Sequence, residues 1–113
     1  MLKGVFPAMK KDGTLYYRSS INYSGKHISL GSFSSERTAH LAYQEAFRTL
    51  SDDTITIDNV YSRKNTLPYE KIIILLNFRD NGLYFKNPIY LRKGYFSYFL
   101  SEHEELKFDI DDL

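Results

Sequence analysis

The spacing of apolar positions changes twice along the chain. Residues 14–23, Thr-Leu-Tyr-Tyr-Arg-Ser-Ser-Ile-Asn-Tyr, are rich in aromatic and β-branched side chains and read as a strand. Asp12-Gly13 before them and Ser24-Gly25 after them are hairpin-turn signals. Val5–Met9 supplies a strand ahead of the first turn, and Lys26–Leu30 alternates polar and apolar after the second. This predicts a three-stranded antiparallel meander. The period then becomes helical: Ala39, Ala42, Tyr43, Ala46 and Leu50 form one stripe, Ser34 or Ser35 can cap its start, and Ser51-Asp52-Asp53 ends it. Three of the five stripe residues are alanine, small enough for the helix axis to come close to a sheet. The prediction is β-β-β-α, a helix on one face of a sheet whose other face stays open.

Residues 52–66 are polar, with a short Thr-Ile-Thr-Ile alternation, and read as a linker. Residues 68–79 predict a helix, with Pro68 in its first turn, Asn81-Gly82 past its end, and Tyr69, Ile72, Ile73 and Leu76 on one face. The Ile72–Leu76 run suits a buried strand equally, and periodicity does not separate the two. Arg92-Lys93-Gly94 between apolar runs predicts a hairpin over 89–100. Residues 102–112 hold six acids against Lys107 and read as a solvated, acidic helix end. The expected fold class is α+β: a sheet-plus-helix domain over 1–51, a linker over 52–66, and a small mixed or partial second domain over 67–113. The last residues, Ile110 to Leu113, form no polar tail, as in a fragment of a longer protein.

Composition narrows the function classes. The 113 residues are 42% apolar and 26% charged, which excludes general disorder. The absence of cysteine excludes disulfides, a thiolate zinc site and a cysteine nucleophile, and fits a reducing compartment, so a cytoplasmic location is expected. No run approaches the roughly 18 apolar residues of a membrane span, and Met1-Leu2-Lys3-Gly4 opens no signal segment; no membrane partner is expected. Charge is divided: residues 1–50 carry seven Lys/Arg against three acids, net +4, and residues 51–113 carry eight against eleven, net −3.

Catalytic chemistry is not evident. His27, His40 and His103 are far apart and show no metal spacing. His103, among Glu102, Glu104 and Glu105, would not converge with them on one point of a helix. The six glycines form no phosphate loop, Ser19-Ser20 and Ser34-Ser35 have no paired base, and Asp109, Asp111 and Asp112 lack the glycine and terminal glutamate of a calcium loop. A non-enzymatic protein without metal or cofactor is expected.

Gly4-Val5, then Gly25-Lys26-His27-Ile28-Ser29-Leu30-Gly31-Ser32-Phe33, then Ala39-x-x-Ala42-Tyr43-x-x-Ala46 carry a family pattern. Over residues 4–47 the chain resembles the Apetala2/ethylene-responsive-factor type DNA-binding domain, variants of which occur in bacterial and phage proteins beside HNH homing-endonuclease domains. The resemblance implies that Leu30, Phe33, Tyr43 and the alanines build the core and that Gly31 bends the chain from strand to helix. It also implies that the open sheet face enters the major groove of double-stranded DNA. With Ile28, Leu30, Tyr17 and Ile21 pointing in, alternation turns Tyr16, Arg18, Ser20, Asn22, His27 and Ser29 outward as candidate base contacts, with Phe6 and Ala8 beside them. Lys3, Lys10, Lys11 and Lys26, near strand ends, are the phosphate candidates. The plant-type family carries arginines where this chain has Phe6 and Ala8, and tryptophan where it has Tyr17 and Ser29, leaving Arg18 as the one guanidinium mid-face. Two other functions stay open. One is a fragment of an HNH-type homing endonuclease without its catalytic half. The other is a phage or mobile-element inhibitor of a host nucleic-acid-processing protein, whose carboxylates (Glu102, Glu104, Glu105, Asp109, Asp111, Asp112) imitate a phosphate backbone.

Overall fold

A computed structural model describes residues 2–60, 66–101 and 104–112. The chain is α+β and divides into two compact units, residues 1–51 and 52–113.

In the first unit, strands β1 (Val5–Met9), β2 (Leu15–Tyr23) and β3 (Lys26–Phe33) form an antiparallel sheet in that order. Asp12 Oδ1 accepts the Thr14 N–H at 2.9 Å in the first turn. In the second turn Ser24 and Gly25 both have positive φ, the two-residue geometry whose twist matches the flanking strands. Helix α1 (Glu36–Ser51) packs across all three strands. Of the two candidate caps it is Ser35 that serves, its Oγ accepting the Thr38 N–H at 3.1 Å. Ala39, Ala42 and Ala46 are fully buried against a core of Val5, Ile21, Ile28, Leu30 and Leu50. Close approach is also visible in a hydrogen bond: the buried Ser19 Oγ donates to the Ala39 carbonyl at 2.8 Å, joining β2 to α1.

Gly31 differs from the expectation. It does not bend the strand into the helix but lies inside β3, at φ +118°, opposite Ser19. Ser20 pairs with Ser29, so Leu30 is left over and a bulge forms. A bulge inserts one residue and shifts the phase of alternation, and glycine accommodates the positive φ there.

In the second unit, helix α2 (Tyr69–Asn81) begins one residue later than expected: Pro68 is its N-cap, its carbonyl accepting from the Lys71 and Ile72 N–H groups, and Gly82 closes the other end through the Phe78 carbonyl. Residues 72–77 are all buried, so the helix has no polar face in its middle. Strands β4 (Ile89–Leu91), β5 (Tyr95–Ser101) and β6 (Glu104–Asp109) make a second antiparallel sheet in that order, with the expected hairpin joining the first two. α2 packs on β4 and β5, with Tyr69 edge-on to Phe99 at 6.1 Å.

Two expectations over the second unit are corrected. The acidic segment is not a helix end: residues 104–109 are strand β6, because Leu106 and Phe108 alternate with Lys107 and Asp109 at period two. Phe108 stands opposite Phe96 and stacks on it at 5.3 Å. The expected linker is in part a bonded set of turns: Asp52 Oδ1 accepts from the Thr54 N–H and hydroxyl, and Asn59 bridges Thr54 and Thr56. Its apolar residues Ile55, Ile57 and Val60 are buried. Residues 61–65 of that stretch lie outside the described residues.

Candidate nucleic-acid interface

Strand pairing sorts the first sheet into two faces. Ser19 reaches α1, so Val5, Ser19, Ile21 and Ile28 belong to the helix side. The opposite side consists of cross-strand rows: Ala8 with Tyr16, Phe6 with Arg18 and Ser32, Ser20 with Ser29, and Asn22 with His27. From Tyr16 to Asn22 the rows extend about 20 Å, at about 3.3 Å per strand residue. The placement of Tyr16, Arg18, Asn22, His27 and Ser29 follows the alternation read from sequence. Ser32 joins them only because the bulge at Leu30 shifts the phase of β3 beyond it.

Ser20 needs a correction. It is on the open side, but it is only 9% exposed. It lies in the floor of a shallow hollow of about 410 Å³ shared with Phe6, Arg18, His27 and Ser29, and its N–H donates to the Gly4 carbonyl at 3.0 Å. At that burial its side chain has little exposed surface with which to contact a base.

Arg18 is held in place by its own strand. Its guanidinium donates to the Tyr16 hydroxyl at 3.0 Å and sits 5.7 Å from the centre of that ring, a hydrogen bond combined with a cation–π contact. The single bond uses one of five guanidinium N–H donors, which leaves enough for a forked contact. Asn22 and His27, opposite one another, are also joined: Nδ1 of His27 lies 3.1 Å from Oδ1 of Asn22. An amide oxygen only accepts, so the ring nitrogen donates. Both residues are exposed.

The lysines stand at two ends of this face. Lys10 and Lys11 lie at the turn between β1 and β2, and Lys3 and Lys26 lie at the other end, before β1 and at the start of β3; all four are exposed. The first unit, with seven Lys/Arg and three acids, keeps the net +4. Sequence reasoning assigned no recognition role to Tyr43 and Phe47. Both flank the edge of this face, and the helical stripe had marked Tyr43 only as core.

The described acidic candidates, Glu104, Glu105, Asp109 and Asp111, are spread along β6 and the turn that follows it. Glu105 accepts from Arg92 at 3.2 Å and from the Ser97 hydroxyl. Glu104 precedes it on the same strand, so alternation directs the two to opposite faces. Asp109 Oδ1 accepts the Asp111 N–H at 3.1 Å in a 3₁₀ turn over Ile110–Asp112. Glu102, His103 and the Asp112 side chain lie outside the described residues. Among the described residues no three of His, Asp and Glu come together as a metal-binding group, and no helix is long and apolar enough to cross a membrane.

The fold and the face together define an α+β protein whose first unit presents an open, lysine-flanked sheet. No protein-family model, no curated protein and no solved structure matches the chain.

Proposed function

We propose that residues 1–51 are a non-catalytic, double-stranded DNA-binding module that lays its open sheet face in the major groove. The observation that carries this reading is the arrangement of rows: one restrained guanidinium within a face about 20 Å long, one amide–imidazole pair at its end, and lysines at both ends. The major groove, about 12 Å wide, admits a two-stranded β-ribbon, and strand axes about 4.8 Å apart place β2 and β3 together within that width. The length corresponds to about six base-pair steps of 3.4 Å. Arg18 would pair in forked fashion with guanine and Asn22 with adenine. Because Tyr16 already restrains Arg18, less side-chain freedom is lost on binding. Lys3, Lys10, Lys11 and Lys26 supply phosphate contacts, which set affinity and register. The resemblance to the Apetala2 type agrees with this use of the sheet.

The test is fluorescence anisotropy of the full chain with duplex DNA across a salt series, preceded by selection of a preferred site. Binding should weaken steeply with salt. Arg18→Ala should cost about 1–3 kcal/mol and relax preference at one position, whereas Lys26→Ala should weaken all sequences evenly and lower the salt slope by about one. Salt-independent binding, or equal binding by the wild type and both variants, would refute the reading.

A further inference from the structure

The open sheet face ends in a hollow whose aromatic wall groove reading does not use. Pairing of β1 with β2 stops at Val5 opposite Ser19, while β2 and β3 continue through Asn22–His27 and Tyr23–Lys26. Beside the start of β1, between the end of the sheet and α1, lies a hollow of about 450 Å³. That volume falls in the range of about 300–1,000 Å³ typical of small-molecule sites.

The lining has two chemical parts. One is aromatic: Phe6 from β1, with Tyr43 and Phe47 from α1. Tyr43 and Phe47 stack at 6.4 Å between ring centres and 30° between planes, and His40 stacks on Tyr43 at 6.1 Å and 14°. The Tyr43 ring lies so close over Gly4 that a Cβ there would come within 2.2 Å of it, so this wall has little freedom to move. Phe6 and Phe47 are nonetheless 53% and 56% exposed, two large rings left in water at the same hollow. The other part is polar: the hydrogen-bonded Asn22–His27 pair and Lys3. The Nδ2 group of Asn22 and Nε2 of His27 make no hydrogen bond among the described residues.

We propose that this hollow receives one unpaired nucleobase, stacked on the aromatic wall, with its edge read by Asn22 and His27, Asn22 serving this base in place of a paired adenine, and its phosphate near Lys3. The combination selects that occupant. Exposed π faces suit a flat ring, as in single-strand recognition, where stacking is the main sequence-tolerant contribution. An aliphatic chain would leave the amide and imidazole unused, and a simple carboxylate would leave the rings unused. The inference rests on the nucleic-acid reading above and deepens it: the favoured DNA carries a base outside the stack.

Three probes test it on the full chain: a fluorescein-labelled duplex with one extrahelical 2-aminopurine, the same duplex fully paired, and 2-aminopurine deoxynucleoside monophosphate. The wild type should bind the bulged duplex more tightly than the paired one, by about fivefold to 150-fold for one stacked base, and should change the 2-aminopurine emission. Phe47→Ala, at an exposed position away from the groove-reading rows, should abolish that preference and the emission change while leaving paired-duplex affinity intact, and Phe47→Trp should restore the preference. Equal binding of bulged and paired duplexes with unchanged emission would overturn the hollow and leave groove reading standing. A Phe47-dependent change with the mononucleotide, without duplex binding, would support the hollow and refute groove reading. No response to any of the three probes would overturn both.

Discussion

Replacing Gly4 by alanine is expected to destabilise the first unit by a large part of its total stability. Two costs add. Gly4 has φ +79°, and an L-residue in that region costs about 1–2 kcal/mol. The new methyl would also lie 2.2 Å from Cδ2, 2.5 Å from Cγ and 2.9 Å from Cβ of Tyr43. Tyr43 is pinned between His40 and Phe47, so relief requires α1 or β1 to shift, and overpacking of this kind costs about 1–3 kcal/mol. The sum is about 2–5 kcal/mol. At about 0.05–0.15 kcal/mol per residue, a unit of this size holds about 3–8 kcal/mol in all. Hydrogen exchange by NMR on the full chain reads the change inside this unit, because each amide reports its own opening. Protection at the Ser20 amide, which donates to the Gly4 carbonyl, and along α1 should fall about 30-fold to several thousand-fold. In a Tyr43→Ala background the contacts with Cδ2 and Cγ are gone while the one with Cβ stays, so the same substitution should cost less there, about 2–3 kcal/mol, the backbone cost plus the smaller overpacking. A fall of less than about twofold in the wild-type background, or an equal effect in both, would refute the reasoning.

Two further predictions concern the second unit. Asn77 is fully buried; its Nδ2 donates to the Leu83 carbonyl and its Oδ1 accepts from the Leu91 N–H and from Asn81, each at 2.8 Å. Asn77→Ala strands the Leu91 and Leu83 backbone groups and should cost about 2–4 kcal/mol in urea denaturation; a loss under about 0.5 kcal/mol would mean that other partners replace them. The Tyr90 phenol is pushed up to about 12, first by burial and then by its hydrogen bond and charge interaction with Asp80, whose Oδ2 accepts the hydroxyl at 2.7 Å. A raised folded-state value means that stability is fully present below the ordinary tyrosine value and is lost as pH rises through the folded one, between about pH 10 and 12. Absorbance titration of the tyrosines should show a late phase that Tyr90→Phe removes, and an unchanged late phase would refute the assignment.

The first unit was legible because each level of its sequence points the same way. Turn residues, period-two strands and an alanine stripe all specify one small sheet under one close helix. The second unit was less legible for physical reasons. The run Ile72–Leu76 continues into Asn77, and all six residues are buried, so no periodicity exists to distinguish helix from strand. The acids at 104–109 hid a strand because β6 is an edge strand with all six residues exposed. There charged side chains cost little, and they discourage further strand pairing.

The open face of the first sheet was legible in all but its phase. Placing both Leu30 and Phe33 on the helix side, as the family pattern does, conflicts with strict alternation, because residues three apart on a regular strand face opposite ways. The bulge resolves the conflict. Leu30 is buried opposite no residue of β2, and Phe33, half-buried, stands opposite Tyr17 on the helix side. The same extra residue turns Ser32 outward into the Phe6–Arg18 row. A bulge also bends its strand and increases the local twist, so Asn22–His27 and Arg18–Ser32, on either side of it, do not lie on one flat surface. On the proposed DNA-binding reading, such a twist would let the sheet follow the curve of the duplex. Gly31, at φ +118° beside the bulge, therefore shapes the face while contributing no side chain to it.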